Sequence, residues 1–270
     1  MPGRISTIFE NARRENRRCL MPFICAGYPA QASLASIVKA VARGGASAVE
    51  IGFPYSDPVA DGPVIASAMH DAIGRGVTPA SVLEQVKAMR GDIEIGLIAM
   101  VSASILHPMG GLSNAPARLV EAGFDALIVP DIPLEESGPL LEGAARAGVE
   151  VCMLVGPATG RERATNIAKA TTGFVYLLAR AGVTGEQGRL DSVDLRVEQL
   201  KSVTQAPIAV GFGIATPEQV RQATAKADAA IVGSALVAHL SEAARRGEDV
   251  PVAAEALTRV LAGGLNHMGV

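Results

Sequence analysis

The stretch Val49-Glu50-Ile51-Gly52-Phe53-Pro54-Tyr55-Ser56-Asp57-Pro58-Val59-Ala60-Asp61-Gly62-Pro63 gathers three carboxylates around one apolar run. Glu50 stands among Val49, Ile51 and Phe53, where a strand buried on both faces is expected. Burying an unpaired carboxylate costs several kcal/mol or raises its pKa. Either Glu50 serves a structural ion pair, or it is a group tuned for general acid and base work near neutral pH. Asp57 and Asp61 follow in a loop stiffened by Pro54, Pro58 and Gly62. Asp57 suits an Asx turn, and Asp61 suits the N-cap of a helix starting near Pro63. The loop is long for a strand-to-helix connection, and it brings both acids near Glu50, which favours a functional role.

A second group of residues is suited to binding an anion. Gly182-Val183-Thr184-Gly185, Gly211-Phe212-Gly213-Ile214 and Gly233-Ser234-Ala235 each follow an apolar run. Backbone N–H groups at glycine-rich turns and helix N-termini bind phosphate. Tyr176, within Phe174-Val175-Tyr176-Leu177-Leu178, is either a core side chain or a polar handle at a site. His70, His107, His239 and His267 show no ligand spacing, so no metal is assigned. Cys19, Cys25 and Cys152 are odd in number and form no C-x-x-C pair, which disfavours a disulfide framework and fits a reducing cytoplasm.

Stepping outward, these residues need a scaffold that places strand ends together. Strand candidates are 20–26, 46–53, 93–101, 126–130, 149–155, 174–178, 207–210 and 229–232, eight in all. Helical patterns fall between them at 31–43, 63–75, 79–90, 114–122, 135–147, 160–169, 193–203, 216–226 and 252–262. Strict alternation demands a parallel sheet. Eight strands in about 250 residues close most naturally into a single (β/α)8 TIM barrel, with a doubly wound open sheet as the alternative. Residues 1–18 add an N-terminal helix, with Ile5, Ile8, Phe9 and Ala12 on one face and a Thr7…Glu10 capping box. No linker or composition shift divides 1–270, so one domain is expected. Arg13, Arg14, Arg17 and Arg18 read as the solvated side of that helix.

Composition narrows the function classes. Hydrophobic residues are 49% and charged residues 19% of the 270, which excludes a disordered chain. A net charge of −3 gives no field for a nucleic-acid backbone or an anionic membrane. No apolar run is long enough to span a bilayer. The apolar 19–26 after a basic segment mimics a signal peptide, but Glu10, Glu15 and the helical pattern argue against one. In a barrel the active site is built on the loops after the strands. The residues alone therefore suggest a lyase or isomerase on a small phosphorylated substrate, using carboxylates without metal or nucleotide.

The strand-two stretch, Pro22-Phe23 with Ala26-Gly27-Tyr28-Pro29, Tyr176-Leu177-Leu178 with Gly182-Val183-Thr184-Gly185, Gly211-Phe212-Gly213-Ile214 and Gly233-Ser234-Ala235 together resemble the tryptophan synthase α subunit family. The match runs in order over nearly the whole chain. The resemblance implies retro-aldol cleavage of indole-3-glycerol phosphate to indole and glyceraldehyde 3-phosphate. It implies Glu50 as the main acid and base and Asp61 as partner of the indole N–H. It places Phe23, Tyr176, Thr184, Gly185, Phe212, Gly213, Gly233 and Ser234 against substrate, and Asp57 and Asp131 in communication with a partner. That partner is a β subunit carrying pyridoxal phosphate in an α2β2 heterotetramer, and no cofactor is expected in this chain.

One segment departs from the family pattern. Residues 99–111 read Ala-Met-Val-Ser-Ala-Ser-Ile-Leu-His-Pro-Met-Gly-Gly, with Ser102 near the usual Asn of a partner-facing loop. Two other readings stay open at this level. One is a different phosphosugar barrel enzyme, such as an isomerase or an indole-glycerol-phosphate synthase. The synthase would need a Lys near a strand end, whereas Lys39, Lys87, Lys169, Lys201 and Lys226 all fall in helical patterns. The other is a barrel that mainly binds and activates a β partner.

Overall fold

The computed structural model describes residues 3–30, 32–58, 62–178, 191–211 and 213–265. Helix α1 (Arg4–Arg14) precedes strand β1 (Cys19–Cys25), and α2 (Leu34–Arg43) leads to β2 (Ala48–Gly52). Helices α3 (Pro63–Gly74) and α4 (Pro79–Met89) lead to β3 (Gly96–Met100), and the short α5 (Ala103–Leu106) with α6 (Ala115–Ala122) leads to β4 (Ala126–Ile128). Then come α7 (Gly138–Ala147), β5 (Glu150–Val151), β6 (Leu154–Val155), α8 (Arg161–Ala170) and β7 (Val175–Leu178). The remainder is α9 (Asp191–Lys201), β8 (Ile208–Gly211), α10 (Pro217–Thr224), β9 (Ala229–Val232), α11 (Ser234–Arg245) and α12 (Val250–Ala262).

All ladders are parallel, in the order β5-β4-β3-β2-β1-β9-β8-β7-β6. The two ends of that list are one continuous segment. Cys152 N–H donates to the Leu127 carbonyl of β4 at 2.9 Å, and Tyr176 N–H of β7 donates to the Met153 carbonyl at 2.9 Å. Residues 150–155 thus join both edges, and the nine short strands form the eight staves of a closed TIM barrel.

Alternation along each strand separates two cores. Val49, Ile51, Leu97, Ala99, Leu127, Val175, Leu177 and Val210 face the surrounding helices. Met21, Ala48, Ile98, Ala126, Ile128, Cys152, Phe174, Tyr176, Ala209 and Ile231 fill the interior. α1 closes the floor: its Ile5, Phe9 and Ala12 belong to that interior cluster. The Phe9 ring lies 5.8 Å from Phe174, which lies 6.3 Å from Tyr176, an aromatic column from floor toward mouth.

Carboxylates fasten the floor. Asp125, just before β4, accepts Leu97 N–H of β3 at 2.8 Å, and Asp228, just before β9, accepts Ile208 N–H of β8 at 2.9 Å. Glu150 accepts the N–H groups of Ile5 at 2.8 Å and Ser6 at 3.0 Å, and its carboxylate also takes the Ser6 hydroxyl. It satisfies donors that the first turn of any helix leaves open.

Several expectations need correction here. α1 starts at Arg4 after Gly3, which has no side-chain cap. The Thr7…Glu10 box does not form, because Glu150 from across the chain caps the helix a turn earlier. The basic cluster is not simply solvated: Arg13 pairs with the buried Asp228 at 3.1 Å, and Arg18 donates to the Thr224 carbonyl at 3.3 Å. Gly62, rather than Asp61, takes the N-cap position of α3. Helix α11 had no place among the expected elements, although Leu236, Val237, Leu240 and Ala243 carry its buried face.

Burial pushes the Glu150 carboxyl above its usual range, against the pull of Ser6 and Ile5. A carboxyl raised in the folded chain contributes most below its unfolded value and loses that contribution as pH rises through its folded value. Stability should therefore decline across that window, and Glu150→Gln should flatten the decline in denaturant melts taken at several pH values. Glu150→Ala should cost about 1–3 kcal/mol and speed amide exchange at Ile5 and Ser6.

Candidate active site

Register decides what meets at the barrel mouth. Phe23 pairs with Glu50 across β1 and β2, and Glu50 pairs with Ile98 of β3. Glu50 is fully buried, and it shares the inward side of β2 with Ala48 while Val49 and Ile51 face outward. The Cys152 thiol nearby is held well above the usual thiol range, chiefly by burial.

Two inward-facing glycines make room for rings. A Cβ on Gly52 would come within 2.4 Å of the Phe23 ring. A Cβ on Gly211 would come within 2.5 Å of the Tyr176 ring and 2.6 Å of its hydroxyl. Phe23 and Tyr176 are both buried, on either side of the mouth. Phe23 also joins Ile65, Met69 and Val237 in a cluster under α3 and α11, with Tyr28, Tyr55 and Met100 at its edge.

The β8 and β9 ends supply backbone donors. Gly213 is exposed in the left-handed region at φ 78°, which glycine adopts without strain. Gly233 precedes α11 as its N-cap without a side-chain cap, and the exposed Ser234 opens the helix. The first N–H groups of such a helix have no intrahelical acceptor and, with the helix dipole, favour an anion.

Asp61, Thr184, Gly185 and Phe212 lie outside the described residues. Asp57 is exposed, and its carboxylate accepts the Ser56 hydroxyl at 3.2 Å. Asp131, also exposed, accepts the Ser102 hydroxyl at 2.6 Å and Ala103 N–H at 2.9 Å. The atypical 99–111 segment is thereby tied to the Asp131 loop, with Ile105, Leu106 and Met109 buried beneath it. Among the described residues no cluster could hold a metal ion, and no helix is long and apolar enough to cross a membrane.

A cavity of about 320 Å³ is lined by Val129, Asp131, Met153, Leu154 and Arg163 among others, from the ends of β4 and β6 and from α8. Glu50, Phe23 and Tyr176 are not among its lining residues.

The model of the tryptophan synthase alpha chain family matches residues 9–265. The chain belongs to the tryptophan synthase alpha chain family. The alpha chain of Synechococcus sp. (strain CC9902) is 42% identical over 241 residues, covering 88% of this chain and 89% of that protein. The alpha chain of Phenylobacterium zucineum (strain HLK1) is 39% identical over 252 residues, covering 92% and 90%. Among solved structures, tryptophan synthase subunit alpha from Legionella pneumophila str. Paris superposes with a TM-score of 0.89 at 30% identity, covering 98% of this chain and 99% of that one. An aminoacrylate-bound form of tryptophan synthase from M. tuberculosis gives 0.85 at 30% identity, covering 98% and 100%. The alpha chain is a lyase of tryptophan biosynthesis, and its alpha reaction converts indole-3-glycerol phosphate to indole and glyceraldehyde 3-phosphate.

Geometry across the alpha chain's mouth yields one direct test. Gly211→Ala should drive Tyr176 off its present position, costing about 1–3 kcal/mol of stability by overpacking. Indole release should fall at least about tenfold, since displacements near 1 Å at a site have larger effects than that. Steady-state kinetics beside a thermal melt would check both numbers.

Proposed function

We propose that Glu50 is the acid and base of the alpha reaction in this chain. The observation that carries this is a fully buried carboxylate facing the barrel interior, in register with Phe23 at the mouth. Glu50 delivers a proton to the indole ring carbon that bears the glycerol chain, giving a cationic indolenine. It then accepts the proton of the hydroxyl next to the ring. The carbon–carbon bond breaks, its electron pair neutralises the indolenine, and indole and the aldehyde separate. Each proton given is recovered, so the carboxyl ends as it began. General acid–base help of this kind is worth roughly 10²–10⁴-fold.

Asp61 accepts the indole N–H in this reading and stabilises the positive charge that builds there. Phe23 and Tyr176 border the ring, with Phe212 and Thr184 adding contacts from their loops. The phosphate sits on backbone donors of Gly185, Gly213, Gly233 and Ser234, remote from the breaking bond. Its binding energy holds the substrate in place for proton transfer.

The chain acts as one domain in the cytoplasm, paired with a β subunit in an α2β2 assembly. Asp57 and Asp131 lie on loops that face this partner. Indole passes to the partner, which carries pyridoxal phosphate, and this chain carries no cofactor.

Glu50→Gln should abolish indole release from indole-3-glycerol phosphate and leave the circular dichroism spectrum and melting point close to wild type. Asp61→Asn should lower kcat by about 10²-fold, within the usual reach of one charge-stabilising group. Both assays should be run with and without a cognate β subunit. Full activity in Glu50→Gln would remove the assignment.

A further inference from the structure

The loop from β2 to α3 begins just past Glu50, and its described part is held at separate points. Phe53 N–H donates to the Met100 carbonyl at 2.9 Å, Pro54 and Pro58 are buried, and Tyr55 packs beside Phe23 and Met69. Between these anchors Ser56 and Asp57 are exposed. There the Ser56 carbonyl meets His70 Nε2 at 2.8 Å. A carbonyl oxygen only accepts, so Nε2 carries the hydrogen of this contact. His70 lies on the exposed side of α3, beside Ala68 and Met69, which are almost wholly buried. A rigid helix therefore grips the exposed span between Tyr55 and Pro58. The Ser56 hydroxyl in turn donates to the Asp57 carboxylate at 3.2 Å, so the grip extends to that acid.

We infer that His70 is a positioning residue for the alpha reaction: its imidazole pins the Ser56 carbonyl and so sets the course of the loop that leaves Glu50. It acts through the loop and touches no reacting atom. This rests on the reading of Glu50 given above. A side chain that only stabilised the fold would alter melting; one that positions a loop alters kcat while binding and melting stay the same. A hydrogen bond from a neutral amide can replace the imidazole, so glutamine at this site is the conservative substitution.

The experiment compares wild type, His70→Ala and His70→Gln in indole release from indole-3-glycerol phosphate, with amide exchange read at Tyr55, Ser56 and Asp57. His70→Ala should lower kcat about tenfold, within the range that small misplacements produce, with KM changed less than about twofold. Its melting point should match wild type, its loop amides should exchange faster, and His70→Gln should recover most of the rate. Unchanged kcat in His70→Ala, or a His70→Gln as slow as the alanine variant, overturns the role. Full indole release by Glu50→Gln, run in the same assay, overturns the reading of Glu50 itself, whatever the His70 variants do.

Discussion

A shift of β2 by one residue against β1 would turn Glu50 out of the barrel and put Val49 inside. Side chains alternate along a strand, so register alone decides which core a residue enters. The layer between wall and helices is made mainly of Val, Ile, Leu and Ala with a few Phe and Met, and it offers a carboxylate no polar partner. Burial of that kind costs several kcal/mol or forces protonation. The pairing of Phe23 with Glu50 and of Glu50 with Ile98 is thus the constraint on which the mouth depends. Gly52 follows from it, because the Phe23 ring lies where a side chain on Gly52 would be.

The opposite end of the barrel uses carboxylates for a different purpose. Asp125, Asp228 and Glu150 sit at or just before strand starts, and each accepts backbone N–H groups from a neighbouring element. They stitch β3 to β4, β8 to β9, and α1 to the floor. Conformity to the barrel rule is plain: the lower face serves stability and the upper face chemistry.

The barrel, its strand positions and the burial of Glu50 were legible because apolar runs and βα alternation are local properties. What was not legible depended on distance in sequence. Glu150 carries the same signal as Glu50, an acid between valines and other apolar residues, yet it caps a helix that begins far away in the chain. Position separates the two: Glu150 opens its strand, whereas Glu50 lies in the middle of its own. α11 escaped because its first turn overlaps a glycine loop that also reads as an anion site. Strand candidates ran long, as at 93–101, because Ile93 is buried under helices before the ladder begins at Gly96. The tether from Ser102 to Asp131 joins two loops that the β3–β4 pairing brings together, and that from His70 to Ser56 ties a loop back to the helix it leads into.

The placement of the tyrosines has an optical consequence. The chain has no tryptophan, and its three tyrosines are Tyr28, Tyr55 and Tyr176. Tyr28 and Tyr55 border the Phe23 cluster, and Tyr176 lies against Gly211 across the mouth. The chain's tyrosine emission therefore arises around one opening. An indole ring absorbs where tyrosine emits, so a ring held there drains that emission by resonance transfer. Occupancy of the barrel is readable from the native chain with no label attached.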